Sequence, residues 1–60
     1  MDDALLAYDA GRADALAGYR DADRAQHPAT GADYRTGFID GRIEIFRMFA
    51  GVRKILENGD

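Results

Sequence analysis

His27-Pro28-Ala29-Thr30-Gly31-Ala32-Asp33 divides the chain and governs the reading of both sides of it. Pro28 holds His27 in extended geometry, so a helix arriving from the amino-terminal side ends there. Thr30 with Asp33 three residues later has the form of a capping box, Asp being a weaker partner than Glu, and starts a second helix. Upstream, Ala4-Leu5-Leu6-Ala7-Tyr8 recurs as Ala15-Leu16-Ala17-Gly18-Tyr19, and Gly11 is echoed by Ala22. A shift of eleven residues is close to three helical turns, so a residue and its echo share a face. The pattern predicts helix 1 over about 3–25, capped by Asp2 or Asp3, a connector over 26–30, and helix 2 over about 31–57, closing at Asn58-Gly59. A strand over 38–45 fails period-two alternation and is broken by Gly41. The expected fold is all-α: an antiparallel two-helix hairpin filling 1–60 as one domain, completed by dimerisation or by a partner.

In such a hairpin, residues whose numbers sum to about 57 face one another. Gly11 is then opposite Phe46, Gly18 opposite Ile39, and Ala22 opposite Tyr34 or Arg35. Gly37, Gly41 and Gly51 each cost helix 2 about 0.5–1 kcal/mol relative to Ala. Either small residues let large ones interlock, or the glycines reflect a GC-rich coding composition. Tyr8-Asp9-Ala10-Gly11 is also echoed by Tyr34-Arg35-Thr36-Gly37, with Asp14 matched by Asp40. That repeat predicts a pseudo-twofold pair in which each Tyr packs on the other helix and its hydroxyl finds an Asp, an Arg or water. The helix-packing set is Tyr8, Gly11, Gly18, Tyr34, Gly37, Phe38 and Phe46.

Helix 2 carries more apolar surface than helix 1 covers. Phe38, Ile45, Phe49, Val52 and Leu56 form one stripe, and Ile39, Ile43, Phe46 and Ala50 a second. Arg35, Arg42 and Arg53 run between them, either snorkelling over a core or gripping a partner. The expected partner-binding residues are Asp3, Asp14 and Asp21 on helix 1 with Arg35, Arg42, Phe49, Val52 and Arg53 on helix 2. A solvated acidic face is the alternative for the aspartates.

Composition limits the function. The 60 residues contain twelve Leu, Ile, Val and Phe, no Cys, no Ser, one Lys and one His. Nucleophilic catalysis needs a hydroxyl or thiol beside a base, and here Thr30 and Thr36 alone offer one. A chain of this size also encloses no pocket of several hundred Å³ of the kind ligands use. The expectation is a non-enzyme without cofactor; Asp21, Asp23 and His27 lack metal-ligand spacing. No apolar run approaches a membrane span and no basic-then-apolar leader opens the chain, which predicts a soluble cytoplasmic protein. Residues 1–33 hold seven acids against three bases, residues 34–60 five bases against four acids, and the net charge is −3. Direct nucleic-acid binding is not expected of so acidic a chain.

Tyr8, Gly11 and Asp14-Ala15, the connector His27-Pro28-Ala29, and Tyr34 with Gly37-Phe38 resemble the ribosome modulation factor family, small two-helix proteins of resting bacteria. The resemblance spans 7–42, with a longer first helix and shorter connector here, and implies a ribosome-associated protein. It breaks at the amino terminus, which in that family is basic and contacts ribosomal RNA; this chain reads Met1-Asp2-Asp3. By size and acidity the chain also resembles phage or mobile-element products, anti-CRISPR and host-takeover proteins among them. The functional expectation is a small inhibitor or adaptor that occupies a surface of a larger protein or ribonucleoprotein machine in a bacterial cell or phage-infected host, with a homodimer as the assembled form. The alternative is a ribosome-associated modulator.

Overall fold

Asp2 starts the first helix: its carboxylate accepts the amide hydrogens of Ala4 at 3.0 Å and Leu5 at 3.4 Å. The computed structural model describes residues 2–58. Helix α1 runs Asp3–Leu16, the short α2 Ala22–Ala25, and α3 Gly31–Asn58. No strand occurs among the described residues, so the chain is all-helical. The left-handed stop expected at Asn58-Gly59 extends beyond the described residues.

Helix 1 does not reach residue 25. It ends at Leu16 because Gly18 takes a left-handed φ of 74°. The Gly18 amide donates to the Ala15 carbonyl at 3.1 Å and the Tyr19 amide to the Asp14 carbonyl at 2.8 Å, the paired bonds of a Schellman stop. Gly18 is thus a terminator and not a packing residue; a Cβ there would meet nothing within 4 Å. Asp21 then caps α2, accepting the Arg24 amide at 3.2 Å. At the start of α3 no Thr30–Asp33 box forms among the described residues; the His27 ring closes the turn that leads into the helix, and the His27 carbonyl accepts the Gly31 amide at 2.8 Å. The Nδ1 of His27 accepts from the amides of Ala29 and Thr30, at 3.1 and 3.3 Å, and lies 3.3 Å from the Thr30 hydroxyl.

The long helices run in the same direction, which overturns the antiparallel hairpin. Tyr8 lies against Gly37 and Asp40, and one turn later Arg12 lies against Gly41 and Glu44. Contact numbers therefore rise together on the two helices. Gly11 faces Tyr34 and Phe38, not Phe46. The sum rule survives only in the connector, which runs back along α3: the Asp21 amide donates to the Tyr34 hydroxyl at 2.9 Å, and the carbonyl of buried Ala25 accepts from the Arg35 guanidinium. The cause is chain length. Once α1 stops at Leu16, residues 17–30 are long enough to span back along a helix of about 21 Å.

The pair is related by a shift of 26 residues, and its contacts are reciprocal. A Cβ on Gly11 would collide with the Tyr34 backbone, and one on Gly37 with the Tyr8 backbone. One on Gly41 would stand 2.7 Å from both the Ala15 Cβ and the Arg12 carbonyl oxygen. Two small-residue rows, Gly11–Ala15 and Gly37–Gly41, thus bring the backbones into direct contact, the role that small residues at i and i+4 play wherever helices approach closely. Tyr8 donates to Asp40, and Tyr34 donates to Asp14 at 2.7 Å. The expected pseudo-twofold and tyrosine partners are therefore present, in parallel sense. Tyr34 is 1% exposed and is the one large side chain fully buried among the described residues; half-buried Phe38 stacks on it with ring centroids 6.2 Å apart.

Candidate docking surface

Helix α3 has 28 residues and α1 has 14, so α3 is about 42 Å long against about 21 Å. Because the two start nearly level, with Asp3 and Thr30 lining one groove, α3 overhangs from about residue 46 onward and the molecule measures 50 × 21 × 14 Å. Phe46, Met48, Phe49, Val52, Ile55 and Leu56 on this overhang are between 54% and 74% exposed. On a wheel of 100° per residue, Ile45, Phe49, Val52 and Leu56 fall within about 60° of one another. Met48 and Ile55 flank that seam on one side and Phe46 on the other. Arg47 and Lys54 stand on the opposite face. Arg53 pairs along the helix with Glu57 at 2.8 Å, so residues 46–58 carry three bases and one acid.

The head, built from α1, the connector and the first half of α3, is acidic, and much of its charge is engaged internally. The Asp14 carboxylate accepts from the Tyr34 hydroxyl, and Asp21 caps α2 and lies 3.6 Å from Arg24. Arg35 is spent on the Ala25 carbonyl. These three expected partner-binding residues hold the fold. Asp3 is exposed on the first turn of α1 and Arg42 is exposed on α3, where it lines a shallow recess with Arg20, Phe38 and Ile39. Phe49, Val52 and Arg53 sit together on the overhang, as does Phe46, which the hairpin register had assigned to packing and which is instead exposed.

Burial raises the Tyr34 hydroxyl pKa above its ordinary value of 10.0, helped by the bond to Asp14. The bond to Asp40 does the same for Tyr8. Both hydroxyls are thereby held protonated as donors to carboxylates. Arg12 and Glu44 form an ion pair at 2.7 Å beside them. Sequence reasoning passed over Asp40 as Tyr8's acceptor, Arg12, Glu44 and the turn closed by the His27 ring. The signal for Asp40 was its place in the repeat, six residues beyond Tyr34 as Asp14 is beyond Tyr8.

An open groove of about 410 Å³ runs between Asp3, Leu6 and Ala7 on one side and Arg24, His27, Thr30 and Tyr34 on the other. No group of three metal-ligating side chains gathers there or elsewhere among the described residues. No helix among them is long and apolar enough to cross a membrane. No protein family, curated protein or solved structure was found to match this chain. The overhang is the feature that the fold itself leaves unused.

Proposed function

We propose that this chain is a non-catalytic binding protein that regulates a larger protein or ribonucleoprotein machine by occupying part of its surface. The overhanging half of α3 is the docking element, and the exposed Asp3, Asp9 and Asp23 of the head face a basic surface on the target. One observation carries this: six large apolar side chains, each more than half exposed, stand on a helix end with no other element beside it among the described residues. A contiguous exposed apolar face of this kind marks an interaction site, and apolar anchors ringed by charge are what interface cores are made of. The lack of Ser and Cys supports a binding role over catalysis. Small size and acidity resemble phage and mobile-element inhibitors that work in the bacterial cytoplasm.

The test is affinity capture from the source cell with the full chain and with Phe49→Asp in parallel. A defined protein retained by the parent and lost with the variant supports the reading; the same protein retained equally by both removes the overhang from it. The second reading, a ribosome-associated modulator, draws support from the interlocked Tyr8/Gly11 and Tyr34/Gly37 units, the positions that carry the resemblance to ribosome modulation factors. Cosedimentation with ribosomes across a salt series separates the two. An RNA contact weakens steeply with salt through counterion release, whereas an apolar protein contact persists.

A further inference from the structure

We infer that in the free protein the overhanging half of α3 is paired, antiparallel, with the same segment of a second copy. This rests on the proposed reading of the overhang as a docking element and names its occupant. Docking on a larger machine then exchanges one helix partner for another.

Three observations select that occupant. The first is spacing. Ile45, Phe49, Val52 and Leu56 follow intervals of 4, 3 and 4, the seam that one helix offers to another in a coiled coil. Met48 and Ile55 broaden one edge of it. The second is charge. Residues 46–58 hold Arg47, Arg53 and Lys54 against Glu57, whereas residues 1–33 hold seven acids against three bases. Antiparallel pairing keeps the two acidic heads at opposite ends. Parallel pairing sets the acidic heads side by side. An anionic bilayer, the other surface that an amphipathic basic helix suits, faces repulsion from the same heads.

The third is area. The six side chains offer on the order of 600 Å² from each copy, within reach of the roughly 600–1,000 Å² per partner that specific interfaces bury. In an antiparallel pair centred between residues 50 and 51, Ile45 meets Leu56 of the second copy and Phe49 meets its Val52. The inner layers then set Phe49 against the smaller Val52 and the outer ones set Ile45 against Leu56, apolar on apolar throughout. Gly51 lies near the centre on the outer face, with nothing within 4 Å of a Cβ placed on it, so it obstructs no neighbour.

Sedimentation equilibrium of the full chain from 1 to about 100 µM is the decisive measurement. The expected mass is twice the 6.6 kDa of one chain, falling to one chain for Phe49→Asp and, as a milder change, Val52→Ala at ten- to hundredfold weaker association. Direction is read by oxidative cross-linking, which the absence of native Cys makes clean. A mixture of Ile45→Cys and Leu56→Cys chains should link between the two variants, while Leu56→Cys alone should stay unlinked. Linking of Leu56→Cys to itself overturns the antiparallel pairing. A folded monomer at 100 µM overturns the inference altogether, as does monomeric chain bound to vesicles of anionic phospholipid. A monomer whose capture of a cellular protein is still abolished by Phe49→Asp would sink the second copy while leaving the docking reading intact.

Discussion

Replacing Gly37 by Ala tests whether the two long helices touch backbone to backbone. Elsewhere in a helix this change is favourable, by about 1 kcal/mol, through propensity and reduced freedom of the unfolded chain. At Gly37 the new methyl would collide with the Tyr8 carbonyl and its Cα, and neither is the end of a flexible side chain. Relief requires α1 to move away from α3, loosening the equivalent contact at Gly11 and lengthening the Tyr8–Asp40 bond. Overpacking of this kind costs about 1–3 kcal/mol, occasionally more, and a weakened hydrogen bond adds about 0.5–1.5. After the propensity gain the net loss is about 1–3 kcal/mol. Gly51, in the middle of the same helix but with open space around it, is the control: Gly51→Ala should stabilise by about 0.5–1 kcal/mol. Urea unfolding followed by circular dichroism at 222 nm reads both, and the opposite signs are the point. A chain this short has only about 3–9 kcal/mol in total, so Gly37→Ala is best made in the Gly51→Ala background. If both substitutions stabilise, the close approach of the helices is wrong.

Further outcomes follow from the same geometry. Tyr34→Phe removes the donor to Asp14 and the acceptor of the Asp21 amide at once, and should cost about 1–3 kcal/mol by urea titration. Gly18→Ala should cost about 1–2 kcal/mol through its positive φ, with Gly18→Asn costing less; equal losses would point to sterics, which the open surroundings of Gly18 do not supply. Because the folded-state pKa of Tyr34 and Tyr8 is raised above 10.0, their contribution to stability is complete below that pH and is lost as pH climbs through the raised values. Helicity should therefore collapse in the alkaline range together with tyrosinate absorbance at 295 nm in a Tyr19→Phe background; ionisation of both well before helix loss would refute the paired hydroxyls.

The repeat of Tyr, Gly and Asp in both halves was legible, and with it the reciprocal lock between the helices. Its direction was not. A repeat read forwards in two segments is compatible with helices side by side in either sense, and the deciding residue was Gly18. Taken as a packing glycine, it let helix 1 run to about residue 25, leaving five connector residues, 26–30, that permit only an antiparallel turn. Taken as a stop, it releases fourteen residues, 17–30, which is enough to return along α1 and start α3 beside its beginning. Local sequence favours a stop as much as a contact: Ala-Gly-aromatic suits a Schellman end, while the echo at a shift of eleven residues suits continuation. Tertiary closure through Asp21–Tyr34 and Ala25–Arg35 settles the choice, and those contacts join residues 13 and 10 positions apart.

That reversal also moves the apolar residues. In the hairpin register Phe46 filled a groove over Gly11; in the parallel pair Gly11 meets Tyr34 and Phe38, and Phe46 stands clear of α1. The head is then held by glycine contacts, two tyrosine–aspartate bonds and one buried aromatic ring, a core with little greasy surface. Phe46, Phe49, Val52, Ile55 and Leu56, five of the twelve Leu, Ile, Val and Phe side chains, are placed where no element among the described residues covers them. Each is worth about 1.5–3 kcal/mol when fully buried. Covering two or three therefore rivals the roughly 3–9 kcal/mol total stability of a domain this size. Partner binding is on these magnitudes the largest apolar term open to the molecule. It falls on the one stretch of helix whose loss of contact with α1 follows directly from the glycine stop at residue 18.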